Sequence, residues 1–188
     1  ASSLVKPMTE NGRKQLIEAM QPYIETMLFV RTDLTKEFFK IKSTGHLKMG
    51  IGSAQDIKYL VRIEAATEDP LDDLLLEIKE VRDLSQIECI NITQKHNPYR
   101  ILVGQSRIAY EPYKFLGYMN FNTFTFWVHS WVDNYRELSI DESFQNVEEL
   151  AEVALDIGSQ LGRGHTNQIA SPLDIQLRRE QIQFLDKY

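Results

Sequence analysis

The residues of this sequence best suited to bind a charged ligand are a glycine pair and a later lysine. Gly50, Gly52 and Ser53 stand between two strand-like runs, and Lys79 lies near the end of a third. A Gly-x-Gly turn lets backbone N–H groups approach anionic oxygens without interference from a Cβ atom, and a lysine on a neighbouring strand adds positive charge. The pattern predicts a site for a phosphate-bearing ligand. The alternative is that the glycines close a β-hairpin and Lys79 is a solvated strand lysine.

Two apolar runs must position these groups. Residues 57–64 are rich in β-branched and aromatic types, and residues 74–79 repeat that pattern after a turn at Pro70. Because side chains alternate along a strand, Lys79 and Glu77 should share the face opposite the apolar ladder of the second run. We therefore expect Lys79 to face a cleft or water.

A helix with a polar residue in its apolar stripe follows. Asn97 is a good cap and Pro98 a good first helical residue, so the helix should run to about Tyr110, before Pro112. Gln105 lies within the apolar stripe, where a buried amide needs a hydrogen-bond partner. Either Gln105 bonds a nearby backbone group, or it faces Lys79 across a cleft and orients the lysine.

The remaining elements complete a mixed α+β fold. Thr9 and Pro22 indicate two short helices or one kinked helix over residues 9–31. Residues 37–42 favour a strand, with a helix as the alternative, and residues 121–131 form the clearest strand, with Trp127, His129 and Trp131 on one face. We expect a small antiparallel sheet built from residues 37–64, 74–80 and 121–131. The 97–110 helix should flank this sheet, and helices over 9–31, 146–166 and 173–187 should pack behind it.

The long helix over residues 146–166 should begin at a capping box formed by Asn146 and Glu149. Its apolar residues recur at helical spacing, which predicts that one face is buried against a neighbour. Three glycines, Gly158, Gly162 and Gly164, should permit close packing. His165 lies on the same stripe, where a hydrogen-bonded core histidine is the first interpretation and a catalytic one the second.

Composition limits the classes of function. The 188 residues carry 21 Lys and Arg against 27 Asp and Glu, for a net charge of −6, so we expect no nucleic-acid partner bound by a broad basic face. The single cysteine, Cys89, forms no internal disulfide and suits a reducing compartment. No run reaches the roughly twenty apolar residues of a membrane span. We expect a cytoplasmic protein with no membrane partner.

The sequence contains no motif for several common kinds of catalytic or metal site. The four histidines and Cys89 are widely spaced, with no pair at helical spacing, so no metal site is predicted. A GxSxG elbow and a Walker loop are both absent. No catalytic residue is assigned. We expect one unit made of a helical lead (1–36), a β-rich lobe (37–135) and a helical part (136–188).

Several segments in the same order resemble one bacterial family, the domain of unknown function 2252 family. They cover much of residues 38–170, and the resemblance depends on their order. The segments are Gly-Ile-Gly-Ser at 50–53, residues 59–64, Leu-Leu-Glu-Ile-Lys-Glu at 75–80, Val-Gly-Gln-Ser-Arg at 103–107, Phe-Leu-Gly at 115–117, Phe-Trp-Val at 126–128 and Leu-Gly-Arg-Gly-His at 161–165.

The family is similar to protein-kinase-like and aminoglycoside-phosphotransferase-like folds, which implies roles for some residues. Gly50, Gly52 and Ser53 would lie in the glycine loop over nucleotide phosphates, and Lys79 would be the strand lysine that holds them. Gln105 would stand where kinases place the lysine-pairing glutamate. By the same resemblance residues 131–135 would form the hinge near an adenine, and residues 161–165 would precede the catalytic loop.

The chain departs from the kinase pattern in ways that bear on chemistry. Gln55 stands where a third loop glycine is expected, and Gln105 carries no charge. Kinase chemistry also needs one aspartate to orient the acceptor and another carboxylate to hold Mg²⁺. After His165 the only aspartates are Asp174 and Asp186, and residues 1–45 contain nothing like those loops. We therefore expect the carboxy-terminal part of a longer protein, or a degenerate relative.

The first functional hypothesis is the nucleotide-binding portion of a kinase-like protein, with its catalytic carboxylates missing from this chain. Its ligand would be ATP, joined by Mg²⁺ if the missing motifs are supplied elsewhere. The second hypothesis is a non-catalytic α+β binding or interaction module, and the third a regulatory domain for another small anionic metabolite. The expected partners are a small anionic ligand or nucleotide, and the rest of a longer polypeptide.

Overall fold

The computed structural model of the chain describes residues 4–48, 56–85, 87–88, 96–131, 139, 143–165 and 169–187. These residues form two compact units. The first unit is made of the described residues within 1–102 and 113–133, and the second of those within 103–112 and 134–188.

The first unit contains a six-stranded, fully antiparallel sheet. Its strands, in chain order, are β1 (Val5–Pro7), β2 (Ile41–Leu47), β3 (Lys58–Ile63), β4 (Leu74–Glu80), β5 (Gly117–Phe121) and β6 (Phe124–Ser130). In space the order is β1-β2-β3-β4-β6-β5. The expected α+β class with an antiparallel sheet is confirmed.

One face of the sheet is covered by two short helices, α1 (Glu10–Ala19) and α2 (Gln21–Val30). Thr9 caps α1, since its hydroxyl oxygen accepts the Gly12 N–H at 3.1 Å. Pro22, in the first turn of α2, separates the two helices as predicted. The helices and sheet share one apolar core, in which Val61, Leu76, Ile78, Val128 and Phe126 are all at most 1% exposed.

Two strand predictions need correction. Residues 37–42 are not one strand: Glu37–Phe39 form a 3-10 turn, and β2 starts at Ile41. Residues 121–131 are not one strand either, because a tight turn at Asn122 joins β5 to β6. Asn122 has a φ of 55°, a left-handed conformation that asparagine tolerates better than most residues. The β-rich composition concealed this hairpin.

The start of β5 is fixed by Tyr23 of α2. The buried Tyr23 hydroxyl donates a hydrogen bond to the Phe115 carbonyl oxygen at 2.7 Å, and burial raises its pKa. Gly117 lies close to the same ring, where an added Cβ would stand 2.7 Å from a ring carbon. This contact requires glycine, because any larger residue would push β5 away from α2.

Three further helices lie after the sheet strand β4. The helix α3 (Asn97–Ile108) ends two residues earlier than predicted, and its first turn is capped by His96 rather than Asn97, since the His96 Nδ1 accepts the Tyr99 N–H at 3.3 Å. The others are α4 (Val147–His165) and α5 (Leu173–Leu185). No described helix is both long and apolar enough to cross a membrane.

Of the three predictions for α4, one is confirmed, one is wrong and one holds in part. The capping box is present: the Glu149 N–H donates to Asn146 Oδ1 at 2.9 Å. The apolar stripe, however, is exposed, with Ile157 at 54% and Leu161 at 52%. Gly164 does allow close packing, because a Cβ there would collide with the Ile108 carbonyl oxygen, whereas Gly158 and Gly162 face open space.

Candidate functional site

The face of the sheet opposite the core carries a row of charged and aromatic residues, which we call the polar face. Lys58 on β3 is paired with Lys79 on β4, Lys79 with Trp127 on β6, and Trp127 with Tyr118 on β5. Side chains of directly paired residues lie on the same side of a sheet. Two lysines and then two aromatic residues therefore form one row across four strands, about 14 Å long at the usual strand spacing.

The two lysines face each other closely enough to interact. Lys58 is 5% exposed and Lys79 is half-buried. Burial, and then the nearby Lys79 ammonium, lower the pKa of Lys58 below its ordinary range, and the Glu77 and Asp56 carboxylates act in the opposite direction. Like charges in directly opposite positions destabilise a sheet. An anion bound beside Lys79 would relieve this repulsion.

Neighbouring cations already have carboxylate partners. Lys42 Nζ lies 2.6 Å from Asp73 Oδ1, and the Arg62 guanidinium contacts the same carboxylate. Arg82 is paired with Asp56 at 2.5 Å. Lys79, in contrast, has no ion-pair partner among the described residues. Its charge is the one on the polar face best placed to meet a ligand.

A histidine and a glutamate form the next row. Glu77 on β4 is paired with His129 on β6, and the His129 Nε2 lies 3.1 Å from Glu77 Oε2, off the angle of a good hydrogen bond. The other ring nitrogen, Nδ1, lies 2.8 Å from the Ser130 carbonyl oxygen and must donate to it. The Nδ1 hydrogen bond orients the buried imidazole, and the Glu77 carboxylate lies beside its other nitrogen.

The fixed imidazole in turn positions the aromatic residues. Trp127 stacks on His129 with ring centroids 4.2 Å apart, and Tyr113 lies over the same imidazole at 4.3 Å. At the sheet edge the Tyr118 ring, 43% exposed, meets His96 edge-on at 4.9 Å. The polar face therefore joins a cationic half to an aromatic half, both on rigid strands.

The predicted site residues have different outcomes. Lys79 lies on the polar face, on the side of β4 opposite the buried Leu76 and Ile78, as the alternation predicted. Gln105 is half-buried in α3 and belongs to the second unit, so its pairing with Lys79 stays a prediction.

The other predicted positions lie outside the described residues. Gly50, Gly52 and Ser53 do so, and four of the five proposed hinge positions, 132–135, do as well. Cys89 and the His165 side chain are also outside. The glycine loop therefore stays a prediction.

Sequence reasoning missed Lys58, Tyr118 and the pairing of Glu77 with His129. It placed Trp127 and His129 on one face of their strand, and Glu77 and Lys79 on one face of theirs, without joining the two. The missing signal was the strand register, which brings them side by side.

Two other features fit a ligand site less well. A groove of about 250 Å³ beside α1 and α2 has a mainly apolar lining, and its Lys40 is already paired with Glu64 at 2.8 Å. Within the described ranges, no three His, Cys, Asp or Glu residues cluster as a metal site requires. The polar face is the better candidate for a ligand site because cationic, acidic and aromatic side chains lie close together there.

The comparisons with known proteins identify a family. No curated protein matches the chain, and no solved structure matches it either. The family model described as "Uncharacterized protein conserved in bacteria (DUF2252)" matches residues 2–186. This match spans nearly the whole sequence, so the chain belongs to the domain of unknown function 2252 family.

Proposed function

We propose that this chain binds the phosphate groups of a nucleotide on the polar face of its sheet. The observation that carries the proposal is the direct pairing of Lys58 with Lys79. The two opposed ammonium groups repel each other, although the Glu77 and Asp56 carboxylates also act on Lys58, and together they attract a group with more than one negative charge. The nucleotide that the family resemblance favours is ATP.

The order of elements supports the kinase-like part of this proposal. The glycine segment precedes β3, the lysine strand β4 comes next, then α3, then the β5–β6 hairpin, and the proposed hinge follows β6. This is the order that the resemblance assigns to a glycine loop, a lysine strand, a helix and a hinge. The proposal covers binding alone, because the carboxylates that phosphoryl transfer requires are missing from this sequence.

Thermal unfolding of the intact protein tests this proposal. ATP should raise the melting temperature, because a ligand that binds only the folded state stabilises it by mass action. Lys79→Ala should remove the increase. Lys14→Ala is the matched control, since Lys14 is an exposed lysine on α1, on the other side of the sheet. A wild-type protein whose melting temperature is unchanged at saturating ATP would contradict the proposal.

A second function is favoured by a different observation. The exposed apolar stripe of α4 is what a non-catalytic interaction module would present to a partner. Such a module predicts that Leu161→Glu abolishes partner binding while ATP has no effect on unfolding. The third hypothesis, another anionic metabolite, predicts instead that citrate or a sugar phosphate stabilises the protein and ATP does not.

A further inference from the structure

The aromatic half of the polar face lies directly beside its cationic half. Trp127 is the cross-strand partner of Lys79, and Tyr118 is the partner of Trp127 on the next strand. Directly paired residues on adjacent strands have Cβ atoms about 5 Å apart, so one ligand can span neighbouring side chains in the row. A ligand that touches Lys79 would therefore extend over Trp127.

From this juxtaposition we infer that Trp127 and Tyr118 form a stacking subsite for the base of the nucleotide whose phosphates meet Lys79. This inference rests on the proposed function and adds the position of the base. The nucleotide would lie across the strands, with its phosphates toward β3 and its base toward β5.

Two features of the aromatic residues suit them to this role. His129, oriented by its hydrogen bond to Ser130, stacks on the Trp127 ring, and Tyr113 meets the same indole edge-on, so the indole is already fixed before a ligand arrives. Tyr118 is 43% exposed on the edge strand, where a base can reach it. A rigid platform loses little conformational entropy on binding, which favours affinity.

The subsite predicts how the ligand is selected. Stacking uses the face of a base, which every base has, and reads no hydrogen-bonding edge. ATP and GTP should therefore bind with affinities within about fivefold of each other. Inorganic tripolyphosphate should bind through the lysines alone and more weakly than either nucleotide.

The test measures the affinities of ATP and tripolyphosphate for four proteins by calorimetry. Trp127→Leu and Tyr118→Ala should each weaken ATP binding by about five- to 100-fold, the usual effect of losing one stacking partner. Both variants should bind tripolyphosphate within twofold of the wild type. Phe29→Ala, which removes an 86% exposed aromatic ring from α2, is the control and should bind both ligands as the wild type does.

The outcomes separate this inference from the proposed function. If ATP binds and depends on Lys79 but Trp127→Leu and Tyr118→Ala do not weaken it, the stacking subsite is wrong and phosphate binding stands. Equal weakening of ATP and tripolyphosphate also contradicts the subsite. If the wild type binds neither ligand, both proposals are wrong. Tyr118→Ala keeps the test valid should Trp127→Leu unfold, because Tyr118 is 43% exposed and lies on the edge strand of the sheet.

Trp127 fluorescence gives a second readout. The sequence contains two tryptophans, Trp127 and Trp131, so Trp131→Phe leaves Trp127 as the sole indole. ATP should quench its emission, and the quenching should saturate at the calorimetric Kd. Emission that does not change at saturating ATP would contradict stacking on Trp127.

Discussion

Lys58 and Lys79 lie directly opposite each other on β3 and β4, on the side of the sheet away from the apolar core. A fold that needed only stability would avoid two like charges in such a pair. Ligand-binding sites often keep interactions of this kind, because the free protein loses stability that the bound ligand restores. The pair therefore links the stability of the sheet to the binding of an anion.

Lys58→Met should separate stability from binding. Methionine keeps the length of the side chain without its charge, so the repulsion disappears and the free energy of unfolding should rise by up to about 1 kcal/mol. Anion affinity should fall at the same time. Urea unfolding and calorimetry measure the two effects. A variant that loses stability but binds ATP as the wild type does would contradict this account.

Ligand binding should be coupled to proton uptake at alkaline pH. In the free protein, burial and Lys79 lower the pKa of Lys58, so part of the population is neutral once the pH exceeds that pKa. A bound anion favours the ammonium form and raises the pKa, so protons are taken up on binding. Calorimetry in two buffers of different ionisation enthalpy measures the uptake.

The same experiment on Lys58→Met provides the control for proton coupling. That variant should show no uptake at the same pH. Release of protons by the wild type, or equal uptake by the variant, would show that Lys58 is not the coupled group.

Asp73 should contribute an acid-sensitive part of the stability of the sheet. The Lys42 ammonium, and then the Arg62 guanidinium, hold the pKa of Asp73 below its usual range. A lowered folded-state pKa gives stability that is present above the unfolded-state pKa and is lost as the pH falls through the folded-state value. Asp73→Asn should lower stability at neutral pH and flatten its decline in acid.

Urea midpoints measured from neutral to acidic pH check the role of Asp73. Glu18→Gln, an exposed change on α1, is the control and should follow the wild-type profile. A steep acid decline that persists in Asp73→Asn would assign the effect to other carboxylates.

Gly117→Ala should destabilise the first unit by about 1–3 kcal/mol, because the new methyl group meets the Tyr23 ring. Gly158→Ala is the matched control. It makes the same change on exposed α4, where nothing lies within 4 Å, and should stabilise its helix by up to about 1 kcal/mol. Denaturant unfolding compares the two. Similar effects in both variants would contradict the contact between β5 and α2.

Local sequence rules predicted the features that depend on neighbouring residues. Alternation placed Lys79 and Glu77 opposite the apolar ladder of β4, and the Asn146–Glu149 capping box started α4. Both are fixed within a few residues of chain, by strand geometry and by backbone N–H groups that need partners.

Other features depend on contacts between residues that are far apart in the sequence, which local sequence patterns do not reveal. The row from Lys58 to Tyr118 requires the register of four strands, which is set by core packing across the sheet. The helical periodicity of α4 showed an amphipathic helix but not what would cover its apolar side, and that side is exposed. Asn122 itself is a residue that favours a tight hairpin turn, but the strand-forming aromatic residues on both sides of it indicated one continuous strand.

The central claim, that the polar face binds phosphate groups through Lys79, is tested most directly by calorimetric titration of ATP and tripolyphosphate into wild type, Lys79→Ala and Lys14→Ala. We predict that Lys14→Ala binds each ligand with the same affinity as the wild type does. Lys79→Ala should bind both at least about tenfold more weakly, as expected for the loss of one charge-assisted contact. Binding by Lys79→Ala as tight as that of the wild type, or no binding by the wild type, would contradict the claim.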